Sequence, residues 1–231
     1  MVSASTVLSR ESRAMNSNSG TQVMPPQVAL PLVLASSSLY RAQILAEAGI
    51  KSTIDPPEVD ERSFDALFDE CGPEEFALML ARKKVASVAP RHVAALVLAG
   101  DQVGVLQRES GLMQLHKQPE EDSATEQLMA MSASTHALVN ALVLMNTVTG
   151  QVEEGIDIQR VTMRSFTEAE ARSYVREFRP YDSGGSYRLE DQLQMAKGTE
   201  FVIDVQGEDP SGVLGLPIPL LKRMLAAITP T

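Results

Sequence analysis

Short apolar runs alternate with segments of helical spacing along most of the chain, and this alternation is what most constrains its fold. Runs of about four to eight apolar residues between turn residues are typical of buried strands. Such strands are predicted at residues 30–35, 94–99, 137–145 and 201–205, with an extended segment that reaches residue 163. Strands that alternate with helices indicate an α/β domain in which helices pack against a largely non-meander sheet.

Capping residues mark where several predicted helices begin and end. Gly49 is placed to end a helix over residues 41–48, and Pro73 is placed to open the next helix at its first position. Thr167 and Glu170 form a capping box for a helix that reaches about residue 177. Helical spacing predicts further helices over residues 123–131 and 217–228.

Charge and hydropathy exclude several classes of protein. Of the 231 residues, 44% are hydrophobic and 22% charged, which is typical of a globular chain, and the net charge is −10. Such an acidic balance argues against a nonspecific nucleic-acid binder. The apolar stretch around residues 93–100 is much shorter than the ~20 residues of a membrane span. With the single cysteine Cys71, these features predict a cytoplasmic protein that binds neither nucleic acid nor membrane.

The first 28 residues differ from the rest of the chain. They are rich in serine and asparagine, lack periodic hydrophobicity and end near the pair Pro25 and Pro26. Such a segment cannot bury enough apolar surface to offset its ordering entropy. We predict a disordered tail at residues 1–28, with an organelle-targeting segment as the alternative, and one domain over residues 29–231.

A serine cluster follows the first predicted strand. Ser36 and Ser38, with Arg41 three residues later, stand between a strand and a helix. Hydroxyl groups, backbone N–H groups and a guanidinium at such a place can bind a phosphate. Ordinary capping of the helix is the alternative.

Acidic residues occur at two candidate sites. Asp60 and Glu61 follow a pair of prolines in a predicted loop, and Asp101 stands with Gly100 where the second strand is predicted to end. Mg²⁺ prefers one or two protein carboxylates together with phosphate oxygens and water. A metal site and ordinary acidic turns both account for these residues.

Two lysines and a glycine-rich turn add further candidates. Lys84 lies on the helix that Pro73 opens, and Lys117 lies in a loop, so either could pair with phosphate or simply be solvated. The turn over residues 184–188 ends in an aromatic residue and a cation, Tyr187 and Arg188, and is either a base-binding element or only a turn. The three histidines have no zinc-binding spacing.

Read in order, these motifs resemble those of the Maf family of nucleoside triphosphate pyrophosphatases. Residues 34–41 read Leu-Ala-Ser-Ser-Ser-Leu-Tyr-Arg, where the family has L-A-S-x-S-P-R-R. The other matching segments are residues 60–61, 81–85, 100–103, 116–118, 184–187 and 215–217. No single motif is very specific to the family, but the number, order and spacing of the motifs together are.

The resemblance implies a fold and a reaction. Family members have a mixed sheet with flanking helices, two lobes around a deep cleft, and often form homodimers. They hydrolyse a nucleoside triphosphate to a monophosphate and pyrophosphate with a divalent cation, Mg²⁺ or Mn²⁺. A house-cleaning role, the removal of modified nucleotides, follows from the same resemblance.

The family roles carry over residue by residue. Asp101 would orient or deprotonate the attacking water, and Glu61, with Asp60 and Asp101, would hold the metal. The positive charges that would neutralise the triphosphate, and the hydroxyls that would bind it, are those of Arg41, Lys84, Lys117, Ser36 and Ser38.

Three positions resemble the subgroup that acts on 7-methyl-GTP: Tyr40, Gln102 and Glu190. An aromatic face can stack on the cationic methylated base, and a carboxylate can accept from guanine N–H groups. Ser186 is predicted to contact substrate as part of the glycine-rich turn. A dTTP or UTP pyrophosphatase and a nucleotide-binding regulator without turnover are the alternatives.

Some residues depart from the family pattern. Leu39 replaces a proline, and His116 and Gln118 replace the glycine and proline on either side of Lys117. These changes predict a less rigid first loop and a shifted Lys117.

Overall fold

The computed structural model describes residues 30–228, in which seven strands form one mixed sheet. The strands are β1 (Leu32–Leu34), β2 (Ser52–Ile54), β3 (Leu96–Arg108), β4 (Gly111–Leu115), β5 (Thr135–Asn146), β6 (Val152–Met163) and β7 (Val202–Gln206). In the order β2-β1-β3-β5-β6-β7, the first three strands are parallel and the rest antiparallel, while β4 forms a hairpin with β3. The predicted α/β class is confirmed. The antiparallel half is more of a meander than predicted, because β3 with β4 and β5 with β6 are hairpins.

Five α-helices flank the sheet in the described part of the chain. They are α1 (Leu39–Glu47), α2 (Phe68–Val88), α3 (Glu121–Ala130), α4 (Glu168–Phe178) and α5 (Ile218–Ile228). The helix α2 is interrupted at Gly72, whose φ of +75° is not helical, so its long segment starts afresh at Pro73 as predicted. The capping box of Thr167 and Glu170 is also confirmed at the start of α4.

The strand β3 is longer than predicted. Its pairing with β5 is continuous from Leu96 to Leu106, so Gly100 and Asp101 lie within the strand and do not end it. Packing favours glycine at position 100, because a Cβ there would lie 2.9 Å from Cδ2 of the buried Leu142, which would have to shift. The prediction of a strand end at Asp101 was therefore wrong, and this carboxylate stands on a rigid sheet and not in a loop.

Helices pack on both faces of the sheet. Along β3, Val97 and Ala99 belong to the apolar cluster that contains α2, whereas Leu96 and Leu98 belong to the cluster that contains α1 and α5. This alternation is the period of two expected for a strand buried on both faces. Further along the same strand, Leu106 packs into a third cluster with α3 and α4. Because Leu98 and Leu106 share one face, α1 and α5 flank one end of that face and α3 and α4 the other.

The first helix and the two short strands differ in part from the predicted elements. The predicted helix over residues 41–48 begins two residues earlier, after the cap residue Ser38, and ends before Gly49, whose φ is +73°. The short strands β2 and β4 were not predicted, because neither has a continuous apolar run. The predicted tail at residues 1–28 lies outside the described residues. Within residues 30–228, no helix combines the length and apolar character of a membrane span.

A buried histidine on β5 contacts Tyr187 of the glycine-rich turn. His136 on β5 is 2% exposed, and its Nε2 lies 2.8 Å from the hydroxyl oxygen of Tyr187. Burial disfavours the imidazolium and lowers the pKa of His136 from 6.5 to about 4. The folded protein therefore holds this ring neutral where an unfolded chain would protonate it.

We predict that His136 makes stability fall in mild acid. Below pH 6.5 the unfolded chain takes up a proton that the folded chain does not, so stability is full above pH 6.5 and falls towards about pH 4. The loss over this window is about 3 kcal/mol. Urea unfolding of His136→Gln should therefore give a flatter stability curve than the unmodified chain. Parallel curves for the two proteins would contradict the prediction.

Candidate active site

A cleft of about 1120 Å³ is lined by residues of α1, α2 and β3 and of the loops around them. Ligand pockets usually measure about 300–1,000 Å³, so the cleft has room for a nucleotide and bound ions. Its walls are residues 36–41, 57, 59–62, 101–104, 114–119, 182–184, 187–190 and 213–215, with side chains from α2. Almost all residues predicted for the site lie in these walls.

A buried ammonium group joins two carboxylates at the floor of the cleft. Nζ of Lys84 lies 2.6 Å from Oδ1 of Asp101 and 3.0 Å from Oε1 of Glu61. Lys84 and Asp101 are 5% and 6% exposed, whereas the side chain of Glu61 is 48% exposed. The ion pair of Lys84 with Asp101 therefore joins α2 to β3. The contact of Lys84 with Glu61 brings the segment before α2 to the same point.

Arg41 is held against this cluster by backbone and side-chain acceptors. Its Nε donates to the carbonyl oxygen of Gly215 at 2.9 Å, and its Nη1 donates to Oγ of Ser36 at 3.4 Å. Burial lowers the pKa of Arg41, while the charges of Asp101 and Glu61 oppose the shift. An arginine stays charged near neutral pH even so, and the site therefore holds a fixed cation.

Both predicted roles of the serine cluster are compatible with the structure. Oγ of Ser38 accepts from the backbone N–H of Arg41 at 3.4 Å and so caps α1. Oγ of Ser36 accepts from the backbone N–H of Ser38 at 3.1 Å. Both residues also line the cleft, where the start of a helix is favourable for an anion.

Lys117 lines the cleft next to the glycine-rich turn. Its backbone forms an antiparallel bridge with Gly184, which joins the lysine loop to that turn. The adjacent Asp182 pairs with Arg188. Burial alone would raise the pKa of Asp182, but the hydrogen bond from Arg188 and the charges of Arg188 and Lys117 lower it overall.

The three residues of the predicted base-recognition set all line the cleft. Tyr40 is 47% exposed at the start of α1, and Glu190 opens a short 3-10 turn. Gln102 is more constrained, because its Nε2 donates to Oδ1 of Asn140 at 3.0 Å and to the carbonyl oxygens of Gly212 and Val213, each at 3.1 Å. Its amide hydrogens are thus used within the protein, and its Oε1 is the group left for a ligand.

Two predicted site residues have other surroundings. Ser186 is fully buried, does not line the cleft, and its Oγ accepts from Nε2 of Gln127 at 2.8 Å. Its hydroxyl therefore supports the turn, and the geometry does not offer it to a substrate. Asp60 lines the cleft beside Glu61, but among residues 30–228 no ion pair links its carboxylate to Lys84.

The carboxylates fit a divalent cation that shares its coordination with a ligand. Within residues 30–228 there is no group of three or more metal-binding side chains. Glu61 and Asp101 nevertheless face one cation, the Lys84 ammonium, within 3.0 Å. Two carboxylates with phosphate oxygens and water are a usual set for Mg²⁺, so these residues suit such an ion.

Sequence reasoning missed a buried polar network under the cleft. Nδ2 of Asn140 donates to Oδ2 of Asp157 at 3.1 Å and to the carbonyl oxygen of Gly212 at 2.9 Å. Nε2 of Gln159 donates to the same Asp157 oxygen at 2.8 Å. These polar residues on β5 and β6 are the one available signal, because polar side chains are unusual in the interior of a buried sheet.

Known proteins resemble this chain over nearly the whole described region. Residues 31–228 match the family described as Maf-like protein. A 7-methyl-GTP pyrophosphatase of Nitrosococcus oceani is 33% identical over 202 residues, covering 87% of this chain and 95% of the relative. Proteins of the same name from Cupriavidus pinatubonensis and Chromobacterium violaceum are 36% and 35% identical, cover 84% of this chain, and are covered to 91% and 94%. The chain therefore belongs to the Maf family.

Proposed function

We propose that this protein is a nucleoside triphosphate pyrophosphatase that cleaves the anhydride between the α- and β-phosphates, with 7-methyl-GTP as its preferred substrate. One observation carries the proposal: the cleft holds Asp101, Lys84 and Glu61 in contact at its floor. The names of relatives that match 84–87% of the chain support the same substrate.

Three cations in the cleft suit the phosphate chain. Arg41 and Lys117 line the cleft, and Lys84 lies between the two carboxylates. Fixed positive charges of this kind stabilise both the triphosphate and the charge that develops on the leaving pyrophosphate. They also offset the unfavourable field of a chain whose net charge is −10.

Asp101 is the residue proposed to accept a proton from the attacking water. Its position on β3 and its contact with Lys84 fix the carboxylate in one place, as a general base requires. Glu61 and Asp101, with Asp60 beside them, would hold Mg²⁺ or Mn²⁺. When bound, such an ion lowers the pKa of water and neutralises phosphate charge.

Three further residues of the cleft lining suit a methylated guanine. The exposed ring of Tyr40 offers an aromatic face to a cationic base, and the Glu190 carboxylate offers acceptors to its N–H groups. The Oε1 of Gln102 adds a further acceptor, because its amide nitrogen is already bonded to the protein. A base rich in donors and positive charge is therefore favoured over a pyrimidine.

Other properties stay predictions: the homodimer and the removal of modified nucleotides follow from the family resemblance, and the cytoplasmic location follows from the single cysteine and the composition. We expect the enzyme to act on free nucleotides in the cytoplasm, to remove modified nucleotides, and to assemble as a homodimer.

We predict that Asp101→Asn abolishes most turnover but preserves binding. Loss of a general base lowers kcat by about a hundredfold or more. An isosteric amide keeps the size of the side chain and Glu61 remains as a carboxylate partner of Lys84, so the variant is expected to fold at reduced stability. The measurement is pyrophosphate release from 7-methyl-GTP with Mg²⁺ or Mn²⁺, together with nucleotide affinity. Asp55→Asn is the control, because Asp55 is an ion-paired carboxylate outside the cleft lining.

Two outcomes would count against this assignment. Full activity in Asp101→Asn would remove Asp101 from the mechanism. Binding of nucleotides without turnover by the unmodified chain would favour the alternative of a regulatory nucleotide-binding protein.

We predict that Glu190→Gln reduces the preference for 7-methyl-GTP. An amide is a weaker acceptor and does not compensate the positive charge of the base, so the ratio of kcat/KM for 7-methyl-GTP to that for UTP should fall by about tenfold. Glu109→Gln, at an exposed position of the β3–β4 turn, makes the same charge change away from the cleft and should leave the ratio unchanged. A preference for dTTP or UTP in the unmodified chain would keep the reaction and overturn the substrate.

A further inference from the structure

A glutamine side chain on α3 lies between the two loops that form one wall of the cleft. Oε1 of Gln127 accepts from the backbone N–H of His116 at 3.0 Å, and its Nε2 donates to the His116 carbonyl oxygen at 2.8 Å. The same Nε2 donates to Oγ of Ser186 at 2.8 Å. Gln127 thus binds the lysine loop through two backbone groups and the glycine-rich turn through a hydroxyl.

The side chain of Gln127 is shielded from water. Gln127 is 3% exposed and Ser186 is fully buried. A buried amide that loses its partners has no solvent to replace them, so Gln127 is held to these partners although His116 itself is exposed. The three hydrogen bonds therefore join the two loops through one buried side chain.

Contacts with Gln127 and with the glycine-rich turn hold the chain around Lys117. It follows His116 directly, and its own backbone is bridged to Gly184, in the same turn as Ser186. On its other side, Nε2 of Gln118 donates to Oε1 of Gln127 at 3.3 Å. The sequence predicts a shifted Lys117 because His116 and Gln118 replace the family's glycine and proline on either side of it. Gln127 contacts both of these residues.

We propose that Gln127 is a positioning residue for Lys117. It does not line the cleft, but it binds the backbone of His116 before the lysine and the side chain of Gln118 after it, and so orients the ammonium group for the phosphate chain. The positioning role rests on the proposed function only for the identity of the ligand that Lys117 binds.

A double-mutant cycle tests the proposal. The four proteins are the unmodified chain, Gln127→Met, Lys117→Met and the double variant. Methionine matches the length of glutamine and keeps most of the apolar stem of lysine. We measure the affinity for inorganic pyrophosphate with Mg²⁺ by calorimetry and kcat/KM with 7-methyl-GTP. Gln127→Met should weaken pyrophosphate binding by about tenfold when Lys117 is present and by less than about twofold when it is absent.

Two further variants separate positioning from general destabilisation. Thr125→Val removes a buried hydroxyl from the same helix, where Oγ1 donates to the carbonyl oxygen of Glu121, and should leave pyrophosphate affinity unchanged. Gln127→Glu keeps the acceptor for the His116 N–H but loses the donors. It repeats the cycle if Gln127→Met does not fold.

The result that overturns the proposal is an equal weakening in both backgrounds, or no weakening by Gln127→Met. If the unmodified chain hydrolyses 7-methyl-GTP and the effects are simply additive, only the positioning role fails. If it binds pyrophosphate, shows coupling between Gln127 and Lys117, and hydrolyses no nucleotide, the positioning role stands and the proposed function fails.

Discussion

A buried ammonium group shared by two carboxylates is the interaction on which the rest of the site depends. Removing one partner of a buried ion pair costs about 3–5 kcal/mol, because a charge is left without compensation. Lys84 and Asp101 can therefore be buried only if α2 packs closely on β3, and Glu61 is drawn to the same point. The ion pair thus fixes a helix, a strand and a loop relative to one another where the proposed chemistry takes place.

Buried amide groups hold the loops around this centre. Asn140 and Gln102 bind the carbonyl oxygens of the loop before α5, and Gly215 in that loop accepts from Arg41. The loop lies so close to the sheet that a Cβ on Gly212 would be 2.5 Å from Oδ2 of Asp157. Amides suit this task because they donate and accept at once and so satisfy buried backbone groups without adding charge.

Cations and carboxylates lie together in the cleft of a strongly acidic chain. A net charge of −10 repels a polyphosphate at long range, but screening limits that repulsion to about 10 Å at moderate ionic strength. Inside the cleft, the cations Arg41, Lys84 and Lys117 act at much shorter distances. Carboxylates such as Glu61 and Asp101 are then compatible with phosphate binding, since a divalent cation can be shared between them and the ligand.

The sequence by itself determined the features that depend on neighbours along the chain. The starts of the helices at Pro73 and Thr167 follow from local capping, and the main strands from runs of apolar residues. Nearly all the site residues predicted from motifs line the cleft, although most of the other residues in its walls were not predicted. Only the tertiary structure decided that β3 continues past Asp101, that Ser186 is buried, and that Gln127 joins two loops. Strand length and hydrogen-bond partners depend on segments far apart in the chain, and periodicity along the sequence carries no information about which segments meet.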